Sequence, residues 1–112
     1  MIRVGIVGRG YFGRKIFKTL SKKFDIKFHT GKDMKVTYDV DWVVIATSVE
    51  SHYELCKHFI LKGVNVFVEK PMTLSYSDSK ELFELAEQNN VKIYVDDVFR
   101  FTQGFWNLTQ QP

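Results

Sequence analysis

A glycine-rich segment near the start of the sequence has the spacing of a phosphate-binding turn. Gly8, Gly10 and Gly13 fit the pattern G-x-G-x-x-G. In this pattern the first glycine permits a tight turn, the second lets the backbone approach a pyrophosphate, and the third lets a helix lie close to a strand. A glycine turn that only packs well is the alternative. The predicted dinucleotide-binding residues of the turn are Gly8, Arg9, Gly10, Tyr11, Phe12 and Gly13.

The residues about 20 positions further on bear on the choice of dinucleotide. An NAD-binding fold usually has an acidic residue there, at the end of the second strand, to accept hydrogen bonds from the ribose. This sequence instead has Thr30, Gly31 and Lys32, and its first acidic residue is Asp33. A hydroxyl and a lysine suit a 2′-phosphate, so we expect NADP or NAD, with a preference for NADP. The alternative is that Asp33 is the ribose ligand and Lys32 is a solvated loop lysine.

Short apolar runs rich in β-branched residues predict five strands around these candidates. The first strand leads directly into the glycine turn. The predicted strands are Ile2–Val7, Asp25–His29, Trp42–Ala46, Val64–Glu69 and Lys92–Val95, the last extending as far as Phe101.

Helical patterns separate most of these strands. A first helix is predicted directly after the glycine turn, with Ile16, Phe17, Leu20 and Phe24 at helical spacing. A second helix is predicted to start with a capping box of Ser51 and Glu54 and to stop at Gly63. A third helix is predicted over Ser77–Gln88. Only about a dozen residues join the second and third strands, which predicts a short helical turn or a bare loop. Alternating strands and helices predict an α/β fold, a Rossmann-like doubly wound parallel sheet spanning residues 1–101.

Composition limits the classes of protein to consider. The chain has 112 residues, 45% of them hydrophobic, and its one cysteine, Cys56, is expected in the core. No metal site is expected, and no apolar run approaches the roughly 18 residues of a membrane span. Residues 1–35 carry ten Lys and Arg against two Asp, but no aromatic-interleaved basic motif accompanies them, so a nucleic-acid site is not expected. We expect a cytoplasmic protein.

Three segments resemble the Gfo/Idh/MocA (glucose-fructose oxidoreductase, inositol dehydrogenase) family. Ala46–His52 is similar to the family pattern A-T-P-N-x-x-H, although Ser48 and Val49 replace its Pro and Asn. Glu69–Pro71 matches the family hallmark E-K-P, and Val95–Phe101 is similar to a family segment that ends in Arg-Phe. Within that last segment, Asp96 and Asp97 depart from the family pattern and have no assigned role.

The resemblance implies an NAD(P)-dependent dehydrogenase acting on a CH–OH group of a sugar, nucleotide sugar or cyclic polyol. Lys70 would be the catalytic residue, because its ammonium can hydrogen-bond a substrate hydroxyl or stabilise a developing oxyanion. Glu69 would lie beside the nicotinamide ribose, and Pro71, often cis in such turns, would set the direction of the lysine. The other cofactor-binding residues implied are Ala46, Thr47, Ser48 and His52.

Alternatives to the catalytic interpretation stay open. His52 on its own is more often a packing or capping residue than a ligand. The chain as a whole could be a non-catalytic NAD(P)-binding sensor or interaction module. Family members continue into a second α/β domain, so we expect these 112 residues on their own to bind cofactor but to catalyse poorly. The uncharged segment Thr102–Pro112, with Phe105 and Trp106, is expected to dock on a neighbour or to form a homo-oligomer.

Overall fold

Five parallel strands form a single sheet in the computed structural model, which describes residues 2–96. The strands are β1 (Arg3–Val7), β2 (Asp25–Thr30), β3 (Trp42–Ile45), β4 (Asn65–Glu69) and β5 (Ile93–Asp96). Their order across the sheet is β2-β1-β3-β4-β5. Asp97 and the 102–112 segment, and with them the predicted extension to Phe101 and the docking segment, lie outside the described residues.

The strand order determines where a ligand can bind. The chain passes from β1 outward to β2 and then returns to place β3 on the other side of β1. At such a reversal the connections after the two neighbouring strands diverge, which opens a crevice beyond their carboxyl ends. The glycine turn follows β1 directly, so the topology places it at this crevice.

Three helices cover the sheet. They are α1 (Tyr11–Leu20), α2 (His52–Leu61), preceded by a 3-10 turn at Val49–Ser51, and α3 (Tyr76–Gln88). The helix α1 lies on one face, and α2 and α3 lie on the other. Because successive strand residues point to opposite faces, the buried Val44 belongs to the α1 side and its neighbours Val43 and Ile45 to the α2–α3 side. The predicted doubly wound Rossmann-like fold is confirmed.

Both faces of the sheet are covered by buried apolar side chains. The core under α1 consists of Val4, Ile6, Ile16, Leu20, Phe24, Trp42, Val44 and Phe67. Under α2 and α3, Cys56 is fully buried, as expected, and burial raises the pKa of its thiol to about 12. The thiol is therefore neutral and acts as a small core side chain.

The predicted capping box at the start of α2 is wrong, although Ser51 does occupy the N-cap position. Ser51 does not form a capping box with Glu54, because a 3-10 turn precedes α2 and the Ser51 hydroxyl instead donates to Thr47 Oγ1 at 2.6 Å and to the Ser48 carbonyl at 2.7 Å. The third helix, predicted from about Ser77 to Gln88, is confirmed as Tyr76–Gln88, and the Ser75 hydroxyl caps it by accepting from the Asp78 N–H at 3.1 Å. The connection over residues 31–41 contains no helix or strand, which confirms the bare-loop alternative.

No helix within residues 2–96 is long and apolar enough to cross a membrane.

Candidate functional site

A large open cleft, about 1240 Å³ in volume, lies beyond the carboxyl ends of β1, β3 and β4. Every site residue predicted from the sequence lines it except Gly13 and Thr30. The structure therefore brings together the glycine turn, the segment after β3 and the segment after β4, which are far apart in the sequence.

The glycine turn is held close to its surroundings at two of its three glycines. Gly8 has φ +133°, a conformation that L side chains rarely adopt, and a side chain there would collide with the carbonyl of Ala46. A methyl group on Gly13 would overlap the carbonyl of Gly8, so Gly13 allows α1 to pack on the turn and does not face the cleft. Gly10, in contrast, has open space around the position of a Cβ.

The open space at Gly10 lies at the start of α1. Gly10 is the N-cap of the helix, no side chain caps it, and no acidic residue lies in the first helical turn. The first N–H groups and the positive end of the helix dipole are thus available to an anion. Because Gly10 has no Cβ, the space beside the start of the helix is open, and a pyrophosphate would fit there.

At the end of β2, Asp33 and Thr30 bond to each other. The Thr30 hydroxyl donates to Asp33 Oδ1 at 2.7 Å, and the Gly31 N–H donates to the same oxygen at 3.2 Å. The hydrogen bond from Thr30 lowers the pKa of Asp33, with the nearby Arg9 guanidinium, 3.9 Å away, contributing. Thr30 is buried and does not line the cleft, and its hydroxyl is engaged by Asp33. Arg9, Lys32 and Asp33 do line the cleft.

His29, for which the sequence predicts no role, lies next to the glycine turn. Its ring Nε2 lies 2.7 Å from the carbonyl oxygen of Gly8, and the ring stacks on Phe17 with centroids 4.9 Å apart. The signal in the sequence is its place at the end of the second predicted strand. In the structure this strand pairs with β1, and His29 lies opposite Ile6 in the β1–β2 register.

His52 connects the segments that follow β3 and β4. The side chain is 2% exposed, with Nδ1 at 3.1 Å from the carbonyl oxygens of both Pro71 and Met72 and Nε2 at 3.1 Å from that of Thr47. Its ring nitrogens thus face backbone carbonyls. These contacts favour the packing alternative for His52, although it borders the cleft.

Glu69, Lys70 and Pro71 form the opposite wall of the cleft from the glycine turn. Glu69 ends β4, Lys70 is exposed, and the Lys70–Pro71 peptide bond is cis, as predicted. The Lys70 N–H donates to the Asp96 carbonyl at 2.7 Å, which ties this segment to the end of β5. The Lys70 ammonium is therefore carried on backbone that is fixed from two sides, by β5 and by His52.

Groups of three or more His, Cys, Asp or Glu that could hold a metal ion are absent from the part of the chain that the structure describes. The cleft is lined by the cations Arg9, Lys32 and Lys70 at the ends of β1, β2 and β4, and also by the carboxylates of Asp33, Glu54 and Glu69.

Comparison with known proteins identifies the fold and the family. The GFO_IDH_MocA family model, described as an oxidoreductase family with an NAD-binding Rossmann fold, matches residues 17–97. This range begins after the glycine turn, so the assignment of the turn rests on its own geometry.

Several relatives and solved structures are similar to this chain. An uncharacterized oxidoreductase of Streptococcus pneumoniae is 30% identical over 93% of this chain and 34% of its own length. Human biliverdin reductase A is 34% identical over 71% of this chain and 27% of its own length.

Among solved structures, UDP-N-acetylglucosamine 3-dehydrogenase of Acidithiobacillus ferrooxidans superposes with a TM-score of 0.76 at 18% identity, covering 84% of this chain and 37% of that one. Synechocystis biliverdin reductase in complex with biliverdin and NADP+ gives 0.73 at 22% identity, with 84% and 37% covered. The chain thus spans about a third of the length of these relatives. Since the family model covers most of the sequence and the structure is a five-stranded parallel sheet of the predicted doubly wound class, the chain belongs to the Gfo/Idh/MocA family of oxidoreductases and forms an NAD(P)-binding Rossmann domain.

Proposed function

We propose that this chain is the dinucleotide-binding part of an NAD(P)-dependent oxidoreductase that acts on a CH–OH group of a sugar, nucleotide sugar or cyclic polyol. The observation that carries the proposal is that the glycine turn and Lys70 line the same cleft. One wall can therefore hold the phosphates of a dinucleotide, while the other offers an ammonium to the oxygen of a substrate.

The glycine turn binds the cofactor, and the segment that carries Lys70 contacts the substrate. At the glycine turn, the first N–H groups of α1 bind the pyrophosphate, and Gly10 leaves room for it. A bound nicotinamide supplies the hydride acceptor or donor. In the direction of alcohol oxidation, Lys70 as a neutral amine accepts the proton of the substrate hydroxyl, and in the reverse direction Lys70 as an ammonium donates that proton to the carbonyl oxygen. Glu69 lies beside the nicotinamide ribose.

The substrate class rests on the family resemblance and on one named neighbour. UDP-N-acetylglucosamine 3-dehydrogenase, which shares this fold, acts on a nucleotide sugar by its name. Other relatives are biliverdin reductases. These classes are separated by measuring turnover of a panel of polyols, sugars, nucleotide sugars and biliverdin, with the whole protein as it is made in the cell (the full-length polypeptide). Turnover of biliverdin with no turnover of any CH–OH compound would contradict the proposed substrate class.

We further propose NADP(H) as the preferred cofactor. Arg9 and Lys32 line the cleft at the end of β2 and can pair with a 2′-phosphate, and Oδ1 of Asp33 is already engaged by Thr30 and Gly31. The competing arrangement uses the second oxygen of Asp33 to accept from the ribose hydroxyls, which would favour NAD.

Calorimetric titration with NADPH and NADH at one fixed salt concentration tests both proposals. We expect NADPH to bind about tenfold or more tightly than NADH, the value of one charge-assisted contact. Lys32→Ala should weaken NADPH binding and leave NADH binding unchanged, whereas Lys22→Ala, an exposed lysine outside the cleft, should change neither. Tighter binding of NADH would contradict the NADP preference. Binding of neither would contradict the cofactor function and favour the interaction-module alternative.

Oligomer formation and docking through residues 102–112 stay predictions, as does a cytoplasmic location. Light scattering of the full-length polypeptide, compared with a variant carrying Phe105→Ser and Trp106→Ser, tests the first two. We expect the wild type to be a homo-oligomer and the variant to dissociate. A monomeric wild type would contradict the prediction.

A further inference from the structure

We propose that His29 is a positioning residue that holds the Gly8 peptide in the orientation that a bound dinucleotide requires. The inference rests on the proposed cofactor function. It concerns a side chain that lies behind the glycine turn and does not line the cleft.

Both polar backbone groups of Gly8 are directed at β2. The Gly8 N–H donates to the carbonyl of Thr30 at 2.7 Å, which continues the hydrogen bonding between β1 and β2 by one residue. β2 ends at Thr30, so its backbone goes no further alongside the turn. The imidazole of His29 supplies the next donor, with Nε2 at 2.7 Å from the Gly8 oxygen. A carbonyl oxygen only accepts, so this ring nitrogen must carry the proton.

The orientation of this carbonyl matters because Gly8 has no side chain to restrict it. Glycine populates many backbone conformations at low cost, and Gly8 has φ +133°. If the peptide between Gly8 and Arg9 rotated, its carbonyl oxygen could turn toward the cleft and repel an anionic phosphate. Because the C=O and N–H of a trans peptide point in opposite directions, holding the Gly8 oxygen toward β2 keeps the Arg9 N–H pointing away from β2.

The ring of His29 is itself held in place. It stacks on Phe17 of α1, with an interplanar angle of 15°. The backbone of His29 lies opposite Ile6 in the sheet, and its carbonyl accepts from the Arg9 guanidinium at 3.3 Å. One β2 residue therefore connects the turn, the helix that follows it and the arginine at the cleft.

Two substitutions separate the hydrogen bond from the packing of the ring. His29→Phe keeps the ring against Phe17 but has no donor, whereas His29→Gln loses the ring but has a side-chain N–H with similar reach. We expect the Kd for NADPH to rise about tenfold in His29→Phe, the value of one such hydrogen bond, and to stay within about threefold of wild type in His29→Gln. The melting temperature of each variant, measured in parallel, reports on folding.

Several outcomes would overturn the inference. An unchanged Kd in His29→Phe would exclude a role for the hydrogen bond, and equal weakening in both variants would assign the effect to loss of the ring or of packing. If wild type binds neither NADPH nor NADH, the proposed function fails and this inference fails with it. If wild type binds normally and only the His29 result is negative, the proposed function stands.

A spectroscopic measurement on the free wild-type chain keeps the test independent of the variants' folding. Nitrogen-15 NMR of the imidazole distinguishes the two neutral tautomers. We expect a proton on Nε2 of His29 at neutral pH, because the Gly8 oxygen requires a donor there. An Nε2 without a proton would overturn the proposed contact.

Discussion

Gly13 lies against the carbonyl of Gly8, so close that a methyl group on Gly13 would overlap it. This contact brings the start of α1 down onto the end of β1. Gly10, between the two in the sequence, has open space where a side chain would be. The glycines of one turn therefore have different physical roles, and substitution by alanine separates folding from binding.

Gly13→Ala should destabilise the fold. The added methyl group has backbone on its far side and cannot move away, so α1 must shift from the sheet. Overpacking of this kind costs about 2 kcal/mol or more, equivalent to a fall of about 10 °C in melting temperature for a domain of this size. Thermal unfolding followed by circular dichroism measures the change. A melting temperature equal to that of wild type would contradict the close packing of Gly13 on Gly8.

Gly10→Ala should fold normally and lose dinucleotide binding. Its N-cap position has φ −73°, which alanine adopts readily, and the replacement of an N-cap glycine by alanine costs about 1 kcal/mol or less. The methyl group would occupy the space needed by the pyrophosphate, so we expect the Kd for NADPH to rise by about tenfold or more. Calorimetry on both proteins gives the comparison. Wild-type affinity in this variant would remove the glycine turn from the proposed site.

Lys70→Ala should leave cofactor binding intact and reduce turnover. Loss of a proton-transferring group typically lowers kcat by about a hundredfold or more. The measurement is steady-state kinetics of the full-length polypeptide, with the Kd for NADPH determined separately. Lys80→Ala is the matched control, because Lys80 is an exposed lysine on α3 outside the cleft. Undiminished kcat in Lys70→Ala would end the catalytic assignment.

His52→Leu should destabilise the chain and loosen the wall that carries Lys70. Leucine has no ring nitrogen, so the carbonyl oxygens of Thr47, Pro71 and Met72 lose their contacts with the imidazole. Loss of hydrogen bonds at a buried site costs about 2 to 3 kcal/mol. Urea unfolding measures this loss, and His52→Gln, which retains a donor and an acceptor, should recover part of it. If leucine is tolerated without loss of stability, the imidazole does not hold the two segments together.

The stability of the chain should fall in acid partly through Asp41. Hydrogen bonds from the Arg3 side chain lower the pKa of Asp41 below its usual 3.8. A lowered pKa means that the contribution is complete above the unfolded-state pKa and is lost as the pH falls through the folded-state pKa. Because the pair is partly exposed, its contribution is about 0.5 to 1 kcal/mol.

Asp41→Asn should therefore lose about this much stability at pH 7 and show a shallower decline below about pH 4 than wild type. Urea midpoints between pH 7 and pH 2 give both quantities. An identical acid decline in the two proteins would exclude Asp41 as a contributor.

The positions of the strands were predictable because each carries a short apolar, β-branched run that suits burial on both faces of a parallel sheet. Boundaries were less predictable at the helix starts. Ser51 and Glu54 have the residue types of a capping box, but the Ser51 hydroxyl found partners in Thr47 and Ser48. A cap is a competition among nearby hydrogen-bond partners, and the spacing of residues alone does not decide it.

The sequence by itself determined the doubly wound α/β class, the glycine turn after β1 and the candidacy of Lys70. Local patterning and motif spacing carry the first two, and the resemblance of Glu69–Pro71 to the family segment E-K-P carries the third. Only the tertiary structure decided that the Thr30 hydroxyl points to Asp33, that His29 holds Gly8 and that His52 bridges the segments after β3 and β4. The last two contacts join residues about 20 positions apart, across neighbouring strands or the segments that follow them. They depend on strand order and register, which bring distant residues within 3 Å or so of each other and which no local pattern specifies.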